Sequence, residues 1–110
     1  MKRAHRILKN DDYQIIIKSG KLTKTSLCYG YYRPNELQIL RVGIAVSKKI
    51  GNAVTRNKVK RQIKAIARSY VKTHVGDFVI VAKKGVLTNT FHDLEIAIMK
   101  IFAENGEKHE

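Results

Sequence analysis

The sequence predicts an α+β fold, a single-domain two-layer sandwich in which helices pack on a four-stranded sheet in the order αβββαβα. Three observations predict it. Apolar residues recur at helical spacing in two long stretches, Val59 to Val71 and Phe91 to Phe102. The run FVIVA, starting at Phe78, is continuously apolar, as a central strand buried on both faces must be. Strand-forming residues crowd the stretches 21–33 and 39–47 before the first long helix.

In chain order, residues 1–9 form a basic lead-in, and residues 1–5 are expected to be mobile. Asn10 precedes Asp11 and Asp12, a capping residue followed by acids suited to a first helical turn, and Gly20 closes the segment. Tyr13, Ile16 and Ile17 share one face of this short helix, which packing onto the sheet would explain. In LCYGYY the period of two puts Leu27, Tyr29 and Tyr31 on one side and Cys28, Gly30 and Tyr32 on the other. Tyrosines so placed ordinarily pack in the core or across strands. Pro34, Asn35 and Glu36 mark a turn. In the next strand Val42, Ile44 and Val46 form a large face, and Gly43, Ala45 and Ser47 a small one open to close approach by a helix or a ligand.

Lys48 and Lys49 then end the strand, Gly51 offers a positive-φ turn and Asn52 can cap a helix. Within that helix Val59, Ile63, Ile66, Ala67, Tyr70 and Val71 make the apolar stripe, while Arg56, Lys60, Lys64, Arg68 and Lys72 follow at steps of four with Arg61 beside them. Like charges so spaced repel by a few tenths of a kcal/mol per pair. No acidic residue lies between Glu36 and Asp77, whereas ten Lys or Arg do. A solvated basic face is the plainest account of a lysine-rich helix. A surface helix ordinarily mixes signs, however, so this one-signed ridge points to a polyanion.

Gly76 and Asp77 turn the chain into FVIVAKK. Thr88 or Thr90 can cap the last helix, and Asp93 stands three residues after Thr90 in capping-box spacing. Phe91, Leu94, Ile98, Ile101 and Phe102 are its expected buried stripe, followed by a charged tail, with residues 104–110 expected to be mobile.

At 110 residues the chain makes one domain, residues 1–110, and its formal charge of +13 points to RNA, DNA or an anionic membrane surface. The apolar runs are too short for a membrane span, and no signal-like segment follows MKRAHR, so a cytoplasmic location without membrane association is expected. Cys28 is the sole cysteine, which excludes an internal disulfide and fits a reducing compartment.

The stretch GNAVTRNKVKRQIKAIAR, following RVGIAVSKKI, resembles without gaps over residues 41–68 the signature of the protein subunit of bacterial ribonuclease P. Its Arg-Asn-x-x-Lys-Arg helix is matched by Arg56, Asn57, Lys60 and Arg61. The resemblance implies the ribonuclease P protein-like fold, with a left-handed strand-helix-strand crossover where general rules favour a right-handed one. It implies a subunit of an endoribonuclease holoenzyme that removes the 5′ leader of precursor tRNA, with catalysis carried by the RNA subunit and magnesium ions held mainly by that RNA. It further implies that Lys48, Lys49, Asn52, Arg56, Asn57, Lys60, Arg61, Lys64 and Arg68 face the catalytic RNA. Lys58 and Lys64 stand where the family commonly has arginine, keeping charge without the planar fork. Tyr13, Ile17 and Tyr31 match a cleft that receives the leader of precursor tRNA; isoleucine at 17 departs from the usual aromatic residue.

A self-sufficient nuclease would need clustered acid-base groups or metal-holding carboxylates, and the sequence offers no such pattern. His5, His74, His92 and His109 are scattered, and Asp11 and Asp12 diverge on a helix. No catalytic residue and no protein-held metal is therefore expected. The competing reading is a structural RNA-binding protein of ribosomal type, which accounts for charge and size but not for the signature.

Overall fold

The computed structural model describes residues 2–7 and 9–108. Helix α1 spans Asn10–Ser19, α2 Ala53–Arg68 and α3 Phe91–Ala103, and the strands are β1 Lys21–Lys24, β2 Cys28–Arg33, β3 Leu40–Ala45 and β4 Gly76–Ala82. They form one four-stranded sheet in the order β1-β2-β4-β3, with β4 antiparallel to β2 and parallel to β3. The α+β class, the four strands and the order αβββαβα are those expected from the sequence.

Strand alternation divides the side chains between two faces. Val42, Phe78 and Ile80 point into the main core, where they meet Val59, Ile63, Ile66 and Ala67 of α2 and Leu94, Ala97, Ile98, Ile101 and Phe102 of α3. A β-carbon on Gly30 would lie 2.5 Å from Ile101 Cγ2, so only glycine lets α3 approach β2. Tyr70 stacks on Phe102 with ring centroids 4.1 Å apart, and Phe78 joins them at 4.5 Å from Phe102. The other face carries a smaller cluster, Ile7, Ile16 and Val79, with Tyr13, Ile17, Tyr31 and Val81 packed on it. Helix α1 thus covers part of the second face, a third partial layer beyond the sandwich of sheet with α2 and α3.

Local details differ from the sequence reading for physical reasons. Asn10 lies within α1; Lys9 occupies the cap position and no side chain caps that end. Gly20 is extended, not left-handed, and its requirement is space: a β-carbon would come 2.4 Å from Ile16 O. Leu27 precedes β2 and turns into the main core, leaving the side of Tyr29 and Tyr31. Tyr70 and Val71 lie past the end of α2 and still pack on its core. Phe91, expected in the buried stripe of α3, is the first residue of that helix and 43 % exposed, and Ala97 is buried in the stripe instead. Gly76, at φ 108, supplies the positive-φ position that opens β4.

The lead-in and tail are bonded to the fold where they are described, and within residues 1–5, expected to be mobile, His5 Nδ1 lies 2.7 Å from Leu40 O. Ile7 N–H donates to Val42 O at 3.1 Å and Arg6 pairs with Val42, which covers the exposed edge of β3. In the tail, Asn105 is buried and donates to Thr23 Oγ1 and Ile101 O, while Lys108 N–H donates to Thr73 O at 2.9 Å. Met1, His109 and Glu110 lie outside the described residues.

Candidate nucleic-acid interface

Two surfaces carry the residues singled out by the sequence. The first is the turn before α2 together with the outer flank of that helix. Ile50, buried to 5 % exposure, anchors the turn, and its N–H donates to Ser47 O at 3.0 Å. Lys48 and Lys49 sit in this turn, past the end of β3, and both are exposed. Gly51 has no positive φ; a β-carbon there would lie 3.1 Å from Thr55 Cβ, so close approach favours glycine. Asn52 caps α2 as its residue type suggests, accepting from Thr55 N–H at 2.9 Å.

From that cap the ridge climbs the helix. Steps of four on a helix of 3.6 residues per turn drift sideways, so Arg56 lies nearest the core and Arg68 furthest from it. Burial follows the drift at its ends: Arg56 is half-buried and Arg68 exposed; between them Lys60 is exposed and Lys64 half-buried, while Asn57 and Arg61 are exposed beside them. Arg56 Nε is buried without a hydrogen-bond partner among the described residues. All nine residues expected on the RNA face therefore share one turn and one flank. Lys58 falls on the opposite flank, in a groove with Val54, Gln62 and Phe91.

The second surface is the partly covered sheet face. Strand register aligns Leu22, Tyr31, Val79 and Gly43 in one row, and Lys24, Tyr29, Val81 and Ala45 in the next. Helix α1 sits over the first row. The small face of β3 receives Tyr13: a β-carbon on Gly43 would lie 2.6 Å from its ring, and Ile44 N–H donates to its hydroxyl at 3.1 Å. Tyr13, Ile17 and Tyr31, named separately from the sequence, are thus gathered on one cluster, each half-buried.

The second row holds residues that the sequence reading did not single out. Tyr29 is half-buried there, with Lys83 Nζ 4.8 Å from its ring centroid. Period two already put Tyr29 with Tyr31; only the pairing of β2 with β4 brings Lys83 to it. Beyond the other end of the face, Asp77 accepts from Arg41 Nε at 2.8 Å, from Arg41 Nη2 at 2.6 Å and from Asn35 Nδ2 at 2.7 Å. This acid is 6 % exposed and neutralised locally, so it does not oppose the basic surface.

Hydrolytic groups do not converge. Among the described residues no three His, Cys, Asp or Glu side chains stand together as a metal site. His74 is buried, its Nε2 lying 2.7 Å from Phe102 O and its Nδ1 2.9 Å from Thr73 Oγ1. A carbonyl only accepts, so Nε2 donates to Phe102 O, and with Nδ1 against the Thr73 hydroxyl His74 is a core strut. Burial pushes the Cys28 thiol up to about 11, against the attraction of Lys83, and removes it as a nucleophile. No helix among the described residues is long and apolar enough to cross a membrane.

The family model described as Ribonuclease P matches residues 1–105. The chain belongs to the ribonuclease P protein family. It is 40 % identical over 111 residues to the ribonuclease P protein component of Bacillus cereus (strain AH187), covering 98 % of this chain and 96 % of that relative. The solved RNase P protein of Staphylococcus aureus superposes with a TM-score of 0.85 at 32 % identity, over 93 % of this chain and 95 % of the other. That of Thermotoga maritima gives 0.81 at 26 % identity, over 91 % and 96 %. As a ribonuclease P protein, the chain combines the family's helix signature with a fold in which that helix is held by its apolar stripe and left open on its basic flank.

Proposed function

We propose that this chain is the RNA-binding subunit of a ribonuclease P holoenzyme in the cytoplasm, one that assists removal of the 5′ leader from precursor tRNA while the catalytic RNA breaks the bond. The observation that carries the reading is the union, on one turn and one flank of α2, of Lys48, Lys49, Asn52, Arg56, Asn57, Lys60, Arg61, Lys64 and Arg68 in a stretch free of acids. Spacings on such a ridge suit successive phosphates of folded RNA, and helix-capping and apolar anchoring keep the ridge rigid.

The sheet face supports the second half of the reading. Tyr13 and Tyr31 offer ring surfaces, Ile17 and Val81 apolar walls, and Lys83 a cation, the composition of a single-strand platform. Magnesium ions would then be held mainly by the RNA, and neutralised phosphates would lower the magnesium that RNA and substrate need to approach each other. Equilibrium binding of the assembled protein and catalytic RNA to precursor tRNA tests this. Tighter binding of leader-bearing than of mature tRNA, only when protein is present, is the expected result. Equal affinities would favour a structural RNA-binding role instead.

A further inference from the structure

A cleft of about 730 Å³ lies on neither surface described above except at Arg68. It opens where the N-terminal segment meets the end of α2, lined by Lys2, His5, Arg68, Ser69, Val71 and Lys72. Two segments remote in sequence build it, and the N-terminal one is fixed by its bonds along β3. Besides the Ile7 and Arg6 contacts with Val42, His5 Nδ1 lies 2.7 Å from Leu40 O. The carbonyl can only accept, so Nδ1 carries the proton and Nε2 is the ring nitrogen left free.

Among the described residues the lining has three cations and no carboxylate. Its walls are chiefly aliphatic, made by Val71 and the stems of Lys2, Arg68 and Lys72, with the imidazole of His5 as a flat surface. A cationic rim alone would suit any anion. Combined with an apolar interior and an aromatic plane, it suits an anion joined to a flat heterocycle, which is a nucleotide.

We propose that this cleft binds one unpaired ribonucleotide, its phosphate held by Lys2, Arg68 and Lys72 and its base against Val71 and the His5 ring. The proposal rests on the RNA-binding reading above and adds a contact that the α2 ridge does not supply. The nucleotide comes either from the catalytic RNA or from precursor tRNA, and cross-linking distinguishes the two.

The test uses holoenzyme reconstituted with full-length protein carrying an aryl azide on Ser69→Cys, an exposed lining position, or on Ala53→Cys at the start of α2. Native Cys28 is fully buried, with its thiol pushed up to about 11, so labelling falls on the introduced cysteine. Cross-linking from position 69 to one unpaired nucleotide is expected, and the strand that carries it identifies the source. Cross-links from 53 with none from 69, or cross-links from 69 only to paired helices, would overturn the cleft and leave the ridge standing. Silence from both positions would overturn the RNA-binding reading itself. Independently, the double variant Lys2→Ala/Lys72→Ala should lower the salt slope of RNA binding by about two. An unchanged slope, when Arg61→Ala does lower it, would also overturn the cleft.

Discussion

The ring of Tyr13 rests on the bare α-carbon of Gly43, where a β-carbon would come within 2.6 Å of it, while the neighbouring Ile44 N–H donates to its hydroxyl at 3.1 Å. One glycine in β3 thereby sets where Tyr13, and with it α1, packs on the sheet beside Tyr31 and Val81. Gly43→Ala should displace the ring and cost about 1–3 kcal/mol, the usual range for overpacking, as read by denaturant unfolding. Unaltered stability would mean that the ring has no fixed seat there.

Tyr13→Ala should weaken binding of leader-bearing precursor tRNA by about 1–3 kcal/mol, the range for loss of one stacked base, and leave mature tRNA nearly unaffected. Comparing the two substrates with the same reconstituted holoenzyme checks this. Equal losses would reduce Tyr13 to a packing residue of the α1 cluster.

On the other surface, Arg56→Ala and Arg61→Ala should each reduce the salt slope of binding to catalytic RNA by about one, as expected for one phosphate contact. Titrations across a range of salt concentrations measure it. A slope equal to that of the unaltered protein would remove the residue from the interface.

Asp77→Ala should be the most damaging of these changes to the fold. It strands Arg41 and Asn35 at the end of the sheet, and loss of one partner from a buried pair costs about 3–5 kcal/mol, with the lower end apt because Arg41 stays partly exposed. Thermal unfolding that is unchanged by the substitution would contradict this role.

The capping box of α3 gives a pH-dependent effect. Hydrogen bonds from the backbone and side chain of Thr90 hold the Asp93 carboxyl below its ordinary range. A lowered folded-state value stabilises above the ordinary carboxylate range and is lost as pH falls through it. Asp93→Asn should therefore be less stable than the unaltered protein at neutral pH, and the gap should close in acid. A gap independent of pH would assign it to the side-chain shape alone.

Much of this architecture was legible in the residues. The stripe of Val59, Ile63 and Ile66 and the continuous run of β4 fixed which faces had to be buried, and Asn52 and Thr90 cap as their residue types allow. The basic ridge needed only helical spacing. What escaped was set by tertiary pairing. Lys83 meets Tyr29 because β4 lies beside β2, and His5 shares a cleft with Arg68 because the N-terminal segment runs along β3. Local patterning carries no signal of either neighbour. Phe91 misled for a related reason: its spacing is that of a buried stripe, but at the first position of α3 it stays exposed while Leu94, one turn on, is buried.

The central claim, that this protein presents RNA to RNA and leaves the bond breaking to the catalytic strand, is tested most directly by precursor tRNA cleavage at limiting magnesium. Three mixtures suffice: catalytic RNA alone, catalytic RNA with protein, and protein stripped of nucleic acid. The account predicts weak cleavage in the first, strong cleavage in the second and none in the third. Release of the 5′ leader by the protein alone would contradict it.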